Sequence, residues 1–90
     1  MNSNVRTADK KYIEAQKKLC RYMGSLRVQA GYSQLELGSL IGKSRSTIGN
    51  YENQKYPLHP ATYNKIVAIF EASAKASELL RSLNIQKWGH

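Results

Sequence analysis

Apolar residues recur at helical spacing in the first third of the chain. Between Asp9 and Ala30 they fall at steps of three or four residues, at Tyr12, Ala15, Leu19, Met23, Leu26 and Ala30. This spacing places them on one side of an amphipathic helix. Gly24 costs a helix interior about 1 kcal/mol relative to alanine, so the segment predicts either one long helix or two that meet there. Residues 1–8 are polar and predict a short flexible arm.

A second, shorter helix follows, and its start is marked by a capping motif. Ser33 and Glu36 have the S-x-x-E spacing of a capping box, in which each side chain bonds the backbone amide of the other residue. The helix is therefore predicted to begin at Gln34. Leu37 and Ile41, four residues apart, give it one apolar edge.

Gly42 is predicted to end this helix, and Ser44 to start the next. Glycine adopts the left-handed conformation that closes a helix without steric cost, and serine is a preferred N-cap residue. On the third helix, a rotation of about 100° per residue places Ile48 and Tyr51 on one side. That side is predicted to face the core.

The opposite side of the third helix carries no large apolar residue. It consists of Arg45, Ser46, Gly49, Asn50 and Asn53. In the major groove of DNA, arginine can bond O6 and N7 of guanine, and asparagine can bond N6 and N7 of adenine. A polar outer face is also what an ordinary solvated surface helix presents. The preceding helix and the three-residue turn favour DNA reading, because together they have the dimensions of a helix-turn-helix.

The rest of the chain predicts two more helices and a tail. Two prolines and no helical periodicity mark residues 53–60 as a loop, and Pro60 suits the first turn of a fourth helix. The apolar face of that helix consists of Tyr63, Ile66, Val67, Ile69 and Phe70. A fifth helix is predicted over residues 73–83. The sequence thus predicts an all-α bundle of five helices, with one domain over residues 9–83 and a tail over residues 84–90.

The chain is strongly basic. Fourteen lysine and arginine residues against six acidic ones give a net charge of +8, which favours polyanions such as nucleic acid or an anionic membrane face. No run of about 18 apolar residues and no signal segment occurs, so we expect a cytoplasmic protein that does not attach to membranes. Residues 1–30 hold seven basic and two acidic residues, or +5 of the total. They form either a flank that contacts phosphates or a surface that only keeps the protein soluble.

Candidate catalytic chemistry is nearly absent from the sequence. Cys20 is the only cysteine, so one chain can build neither a disulfide nor a cysteine zinc site, and a packing role is expected for it. His59 and His90 are the only histidines, and neither a P-loop nor a G-x-G-x-x-G fingerprint occurs. We therefore expect no enzyme activity, no metal and no cofactor.

A set of short motifs occurs in a fixed order between residues 22 and 70. They are Leu26-Arg27 before Gly31, Ser33-Gln34, Leu37-Gly38, Gly42, Ser44 to Ile48, and Tyr51-Glu52. In this order and at this spacing they resemble the lambda-repressor-like helix-turn-helix proteins, the Cro and C1 type or XRE family. The chain departs from the family at Lys43, where an apolar residue is usual, and at Asn53-Gln54, which replaces a frequent glycine.

The resemblance implies roles for individual side chains around the recognition helix, residues 44–53. Base-edge contacts are expected from Arg45, Ser46, Asn50 and Gln34. Phosphate contacts are expected from Ser33, Gln34, Lys43, Thr47 and Asn53, and from the loop residues Lys55 and Tyr56. Gln34 is also expected to brace the recognition helix. Arg27 and Glu52 occupy positions where relatives carry an ion pair between the first helix and the end of the recognition helix.

These features predict a transcriptional regulator that binds double-stranded DNA sequence-specifically, a repressor acting by occupancy of a palindromic operator. Proteins of this geometry place two recognition helices about 34 Å apart, so a homodimer is expected. Its seam is predicted from Leu79, Leu80, Leu83, Ile85 and Trp88, more large apolar side chains than the end of a small monomer readily buries. Alternatively they fold back into the monomer core, because a chain of 90 residues needs its apolar residues there.

A second class of function stays open at this point. The same fold serves as an antitoxin or assembly partner when its main ligand is another protein. The apolar C-terminal segment is the feature that supports this alternative.

Overall fold

The structure describes the backbone of residues 3–89 and the side chains of residues 10–89. This part of the chain contains five α-helices. The structure is a computed structural model. The helices are α1 (Ser3–Ala30), α2 (Gln34–Ile41), α3 (Arg45–Glu52), α4 (Pro60–Glu71) and α5 (Ala74–Leu83). No strand occurs between residues 3 and 89, so the predicted all-α fold of five helices is confirmed. None of these helices combines the length and the apolar character needed to cross a membrane.

The first helix is one uninterrupted element of 28 residues. It passes through Gly24 without a break, so the interpretation as one long helix is correct. It begins at Ser3, whereas the sequence predicts a start at Asp9 after an arm of eight residues. No glycine or proline lies between residues 3 and 23, so nothing in this stretch interrupts a helix. Residues 1 and 2 of the predicted arm lie outside the described residues.

Four of these five helices are followed, within two residues of their last residue, by a residue in the left-handed conformation. These residues are Gly31 (φ 84°), Gly42 (φ 72°), Gln54 (φ 59°) and Asn84 (φ 60°). In each case the amide of the following residue donates to the carbonyl five residues before it, as in a Schellman motif. The predicted end of α2 at Gly42 is confirmed. Gln54 adopts this conformation at a steric cost of about 1–2 kcal/mol that glycine would not incur.

The core lies where α1 packs against α3, α4 and α5. Its largest fully buried side chains are Leu19, Met23, Leu26, Leu37, Ile48, Leu58, Tyr63, Ile66, Val67 and Phe70. The apolar stripes predicted for α1 and α4 supply most of them. Leu58 is an exception, since it belongs to the loop before α4 and is as buried as the helical residues.

The C-terminal segment folds back onto the bundle. Leu80 and Ile85 are 3% and 7% exposed and belong to the core, and Leu79, Leu83 and Trp88 are partly buried against it. This corrects the prediction that Leu80 and Ile85 lie at a dimer seam. The reason is that α5 packs against α1 and α4, where its apolar residues complete the core of a small chain.

Hydrogen bonds hold the residues after α5 against α4. The Trp88 amide donates to Asn64 Oδ1 at 2.6 Å, and Asn64 Nδ2 donates to the Trp88 carbonyl at 3.0 Å. The Tyr63 hydroxyl donates to the Gln86 carbonyl at 2.9 Å. The Trp88 ring also meets the Tyr12 ring edge-on, with centroids 5.3 Å apart. Residues 84–89 are therefore an ordered part of the bundle, and His90 lies outside the described residues.

Two glycines are expected to respond in opposite directions to the same substitution. A Cβ atom on Gly38 would lie 2.5 Å from the backbone oxygen of Lys43. Gly38→Ala should lower the free energy of unfolding by about 1–3 kcal/mol, because α2 and the turn must move apart. A Cβ atom on Gly24 would lie 3.5 Å from Glu52 Oε1, an ordinary contact. Gly24→Ala should raise the free energy of unfolding by up to about 1 kcal/mol through helix propensity.

Urea unfolding of the wild type and of both glycine variants measures whether each substitution raises or lowers the free energy of unfolding. Equal losses of stability would show that the clearance at each glycine does not determine the effect. A gain in Gly24→Ala together with a loss in Gly38→Ala is the expected result.

Candidate nucleic-acid interface

α2 and α3 meet at a tight turn over residues 42–44, and both helices are capped as predicted. Ser33 Oγ accepts from the Glu36 amide at 3.0 Å, and Glu36 Oε1 accepts from the Ser33 amide at 2.8 Å. Ser44 Oγ accepts from the Thr47 amide at 3.1 Å at the start of α3. The short turn and the two caps form a helix-turn-helix.

α3 has one buried side and one open side. Ile48 and Tyr51 lie in the core, as the sequence predicts. Arg45 and Ser46 are exposed at the amino-terminal end of the helix, and Asn50 is half-buried further along it. The open side therefore presents a guanidinium group and a hydroxyl group to solvent, with a half-buried amide further along the helix.

Glu52, the last residue of α3, is bonded to two other helices. Arg27 on α1 donates through Nε at 2.7 Å and through Nη2 at 3.3 Å, and Gln34 on α2 donates through Nε2 at 3.0 Å. Arg27 Nη1 also donates to the Tyr32 carbonyl at 3.1 Å. The side chains of Arg27 and Glu52 are only 16% and 14% exposed. One carboxylate thus ties α1, α2 and α3 together and fixes the direction of α3.

Gln34 has the bracing contact that the resemblance implies, and it lies beside Arg45. Its amide nitrogen donates to Glu52 Oε1 at 3.0 Å. Ser33, Gln34 and Arg45 line one shallow depression at the amino-terminal ends of α2 and α3. Leu35 lines the same depression and is 60% exposed. No role is predicted for Leu35 from the sequence, although an apolar residue on the outer side of an amphipathic helix is a signal.

The side chains expected to contact phosphates lie near both ends of α3. Ser33 and Lys43 are exposed at the start of α2 and in the turn, and Asn53, Lys55 and Tyr56 are exposed at the end of α3 and just beyond it. Thr47 is half-buried, and its hydroxyl lies 2.9 Å from that of Ser44. The structure therefore separates these residues into two groups instead of one cluster.

The loop after α3 is fixed to α1 through the backbone of Leu58. Gln16 Oε1 accepts from the Leu58 amide at 2.9 Å, and the Tyr12 hydroxyl donates to the Leu58 carbonyl. Burial raises the pKa of the Tyr12 hydroxyl above its ordinary value, and the nearby Tyr63 hydroxyl raises it further. The Tyr12 hydroxyl therefore keeps the proton that it donates. The sequence pattern predicts neither contact. Gln16 carries a signal, since it is a polar residue on the apolar side of α1.

Cys20 and His59 have structural positions in this fold. Cys20 is buried in the core, and burial, with the charge of Glu52 second, raises the pKa of its thiol to about 11. The thiol is therefore protonated and weakly reactive at neutral pH. His59 Nδ1 accepts from the Ala61 amide at 3.1 Å and caps α4. Among residues 10–89, no three histidine, cysteine or acidic side chains come together in a way that could hold a metal ion.

Comparison with known proteins gives one family match. A family model described as helix-turn-helix matches residues 23–75, from within α1 to the start of α5 and more than half of the chain. This is a family of DNA-binding domains. No curated protein matches the sequence. The matched residues contain the capped α2, the turn and α3, and the chain therefore belongs to the Cro/C1-type helix-turn-helix (XRE) family of DNA-binding regulators.

Proposed function

We propose that this protein is a repressor that binds double-stranded DNA sequence-specifically and reads its operator with α3. The observation that carries the proposal is the placement of α3. Arg45 and Ser46 are exposed on its outer side, while Glu52 at its other end is held by Arg27 and Gln34. A helix fixed in this way can present donors and acceptors to base edges in the major groove. The net charge of +8 favours the DNA polyanion as ligand.

The proposal includes a symmetric dimer on a palindromic operator. One recognition helix reads only a few base pairs, and two copies about 34 Å apart extend the site along one face of the duplex. Since Leu80 and Ile85 belong to the core, the C-terminal candidates for a seam are Leu79, Leu83 and Trp88, which are partly buried. The dimer would act in the cytoplasm by occupying the operator.

An antitoxin or another protein-binding role is the alternative function. Its support in the sequence is the apolar C-terminal segment. Leu80 and Ile85 of that segment are buried in the core, so they do not form a surface for a partner protein. A gel shift with DNA from upstream of the protein's own gene, in excess nonspecific competitor, separates the two functions. Sequence-selective binding supports the repressor. Binding that is unselective and only salt-sensitive favours the alternative.

Arg45→Ala should weaken binding to the operator by about 1–3 kcal/mol per half-site and relax the preference at one base pair of each half-site, because a bidentate contact to a base is lost. Its effect on random DNA should be much smaller. The operator is first selected from a randomised duplex library, and both affinities are then measured by fluorescence anisotropy.

Lys55→Ala is the matched comparison, since it also removes one exposed cationic side chain. It should weaken binding to every sequence alike and reduce the slope of log K against log salt by about one unit for each subunit bound. If Arg45→Ala weakened the binding of operator and random DNA by the same factor, the proposal that Arg45 reads a base would be wrong.

A further inference from the structure

The amino-terminal two thirds of α1 lie outside the residues that the family model matches. The match begins at residue 23, and α1 begins at Ser3. Within this additional part, Tyr12 and Gln16 hold both polar backbone groups of Leu58. Gln16 is only 9% exposed, so its contact with the loop is shielded from water. The position of the loop after α3 therefore depends on this part of α1.

The same side of α1 brings a lysine to the loop that follows α3. Lys17 lines a cleft of about 210 Å³ together with Gln54, Lys55 and Tyr56. Both lysines and Tyr56 are exposed. The neighbouring Lys18 faces elsewhere, since its ammonium group donates to the Leu83 carbonyl at the end of α5 at 2.9 Å. Of the two consecutive lysines, only Lys17 is available at this cleft.

The charges around the cleft are not balanced within the protein. Its lining contains two lysine residues and, among the residues that the structure describes, no acidic one. Like charges that face one cleft repel each other, and an anion between them removes the repulsion. The Tyr56 hydroxyl is a further hydrogen-bond donor for such an anion. A phosphodiester group satisfies this arrangement, because it carries one negative charge and exposed acceptor oxygens.

We propose that Lys17, Lys55 and Tyr56 bind one backbone phosphate of the duplex that flanks the bases read by α3. The cleft adjoins the carboxyl end of α3, so the bound phosphate lies beyond the base pairs that Arg45 contacts. This inference rests on the proposed function. It assigns a contact to the first helix and makes the DNA site longer than the helix-turn-helix alone requires.

Lys17→Gln tests the inference, and Lys75→Gln is the matched control. Lys75 is equally an exposed lysine, but it lies on α5, which packs against α1 and α4. Affinities of both variants and the wild type are measured over a salt series, on a long operator duplex and on one trimmed to the base pairs that specify binding. Thermal unfolding by circular dichroism shows whether each variant keeps the wild-type stability.

On the long duplex, Lys17→Gln should reduce the salt slope by up to about 0.9 and weaken binding by up to about eightfold at 0.1 M salt for each subunit of the dimer, because Lys55 still contacts the same phosphate. On the trimmed duplex, the wild type and Lys17→Gln should bind with equal affinity, because the phosphate that Lys17 contacts is absent. The wild type should bind this duplex more weakly than the long one. Lys75→Gln should leave the slope unchanged on both duplexes.

The possible failures are distinguishable. If the wild type binds no duplex selectively, the proposed function fails and the inference fails with it. If the wild type binds the operator selectively while Lys17→Gln keeps the wild-type slope, only the inference is overturned. Equal losses in Lys17→Gln and Lys75→Gln would also overturn it, because they would reflect net charge and not a local contact.

Discussion

Arg27→Met should lower the free energy of unfolding by about 3 kcal/mol. Removing one partner of a buried ion pair costs about 3–5 kcal/mol, because the other charge is left without its counterion. Arg27 and Glu52 are 16% and 14% exposed, and this remaining access to water puts the pair at the lower end of that range. The Glu52 carboxylate accepts hydrogen bonds from the side chains of Arg27 and Gln34. In the variant, only the hydrogen bond from the Gln34 amide remains. Urea unfolding at neutral pH measures the loss.

A double-mutant cycle with Glu52→Gln isolates the interaction between the two side chains. The matched control is the surface pair Lys87 and Glu71, which is 3.7 Å apart with side chains 53% and 43% exposed. Exposed pairs contribute below about 1 kcal/mol, so the cycle of Lys87→Met and Glu71→Gln should show little coupling. A coupling energy for Arg27 and Glu52 no larger than that of the surface pair would contradict this prediction.

The helix-turn-helix is predictable because its signals are local. Each cap of α2 and α3 involves residues within a few positions of one another, as in the contact between Ser33 and Glu36 or between Ser44 and Thr47. Side-chain chemistry at such spacing limits the backbone conformation before any tertiary contact forms. The two sides of α3 follow from the helical period alone.

The contacts of the loop after α3 are not predictable in this way. Leu58 lies in a segment without periodicity, and its partners Gln16 and Tyr12 are 42 and 46 residues away. Such pairs are set by how the helices pack, which no local pattern encodes. The left-handed conformation of Gln54 is another example. Glutamine has no preference for it, and the hydrogen bond from the Lys55 amide to the Asn50 carbonyl accompanies it in the folded chain.

The C-terminal residues show a different limit of sequence patterns. Helical spacing predicts that Leu79, Leu80 and Leu83 lie near one side of a helix, but not whether that side meets another helix of the same chain or a second molecule. The decision depends on whether the remaining core is complete without them. Here α5 packs against α1 and α4, so the folded monomer uses Leu80 itself.

Leu80→Ala should therefore lower the free energy of unfolding by about 2–5 kcal/mol, the usual cost of removing a fully buried leucine side chain. Leu80 is 3% exposed, whereas Leu40 is 53% exposed on α2. Leu40→Ala is the matched control and should change the stability by less than about 0.5 kcal/mol. Urea unfolding followed by circular dichroism measures both effects, at several protein concentrations.

Sedimentation of the same two variants separates a core position from a seam position. A core position predicts that Leu80→Ala loses stability without a specific change in association, and that the loss does not depend on protein concentration. If Leu80→Ala were as stable as the wild type but sedimented as a monomer where the wild type is a dimer, Leu80 would belong to a seam. Leu80 would then contribute mainly to association of two chains and less to the stability of one folded chain.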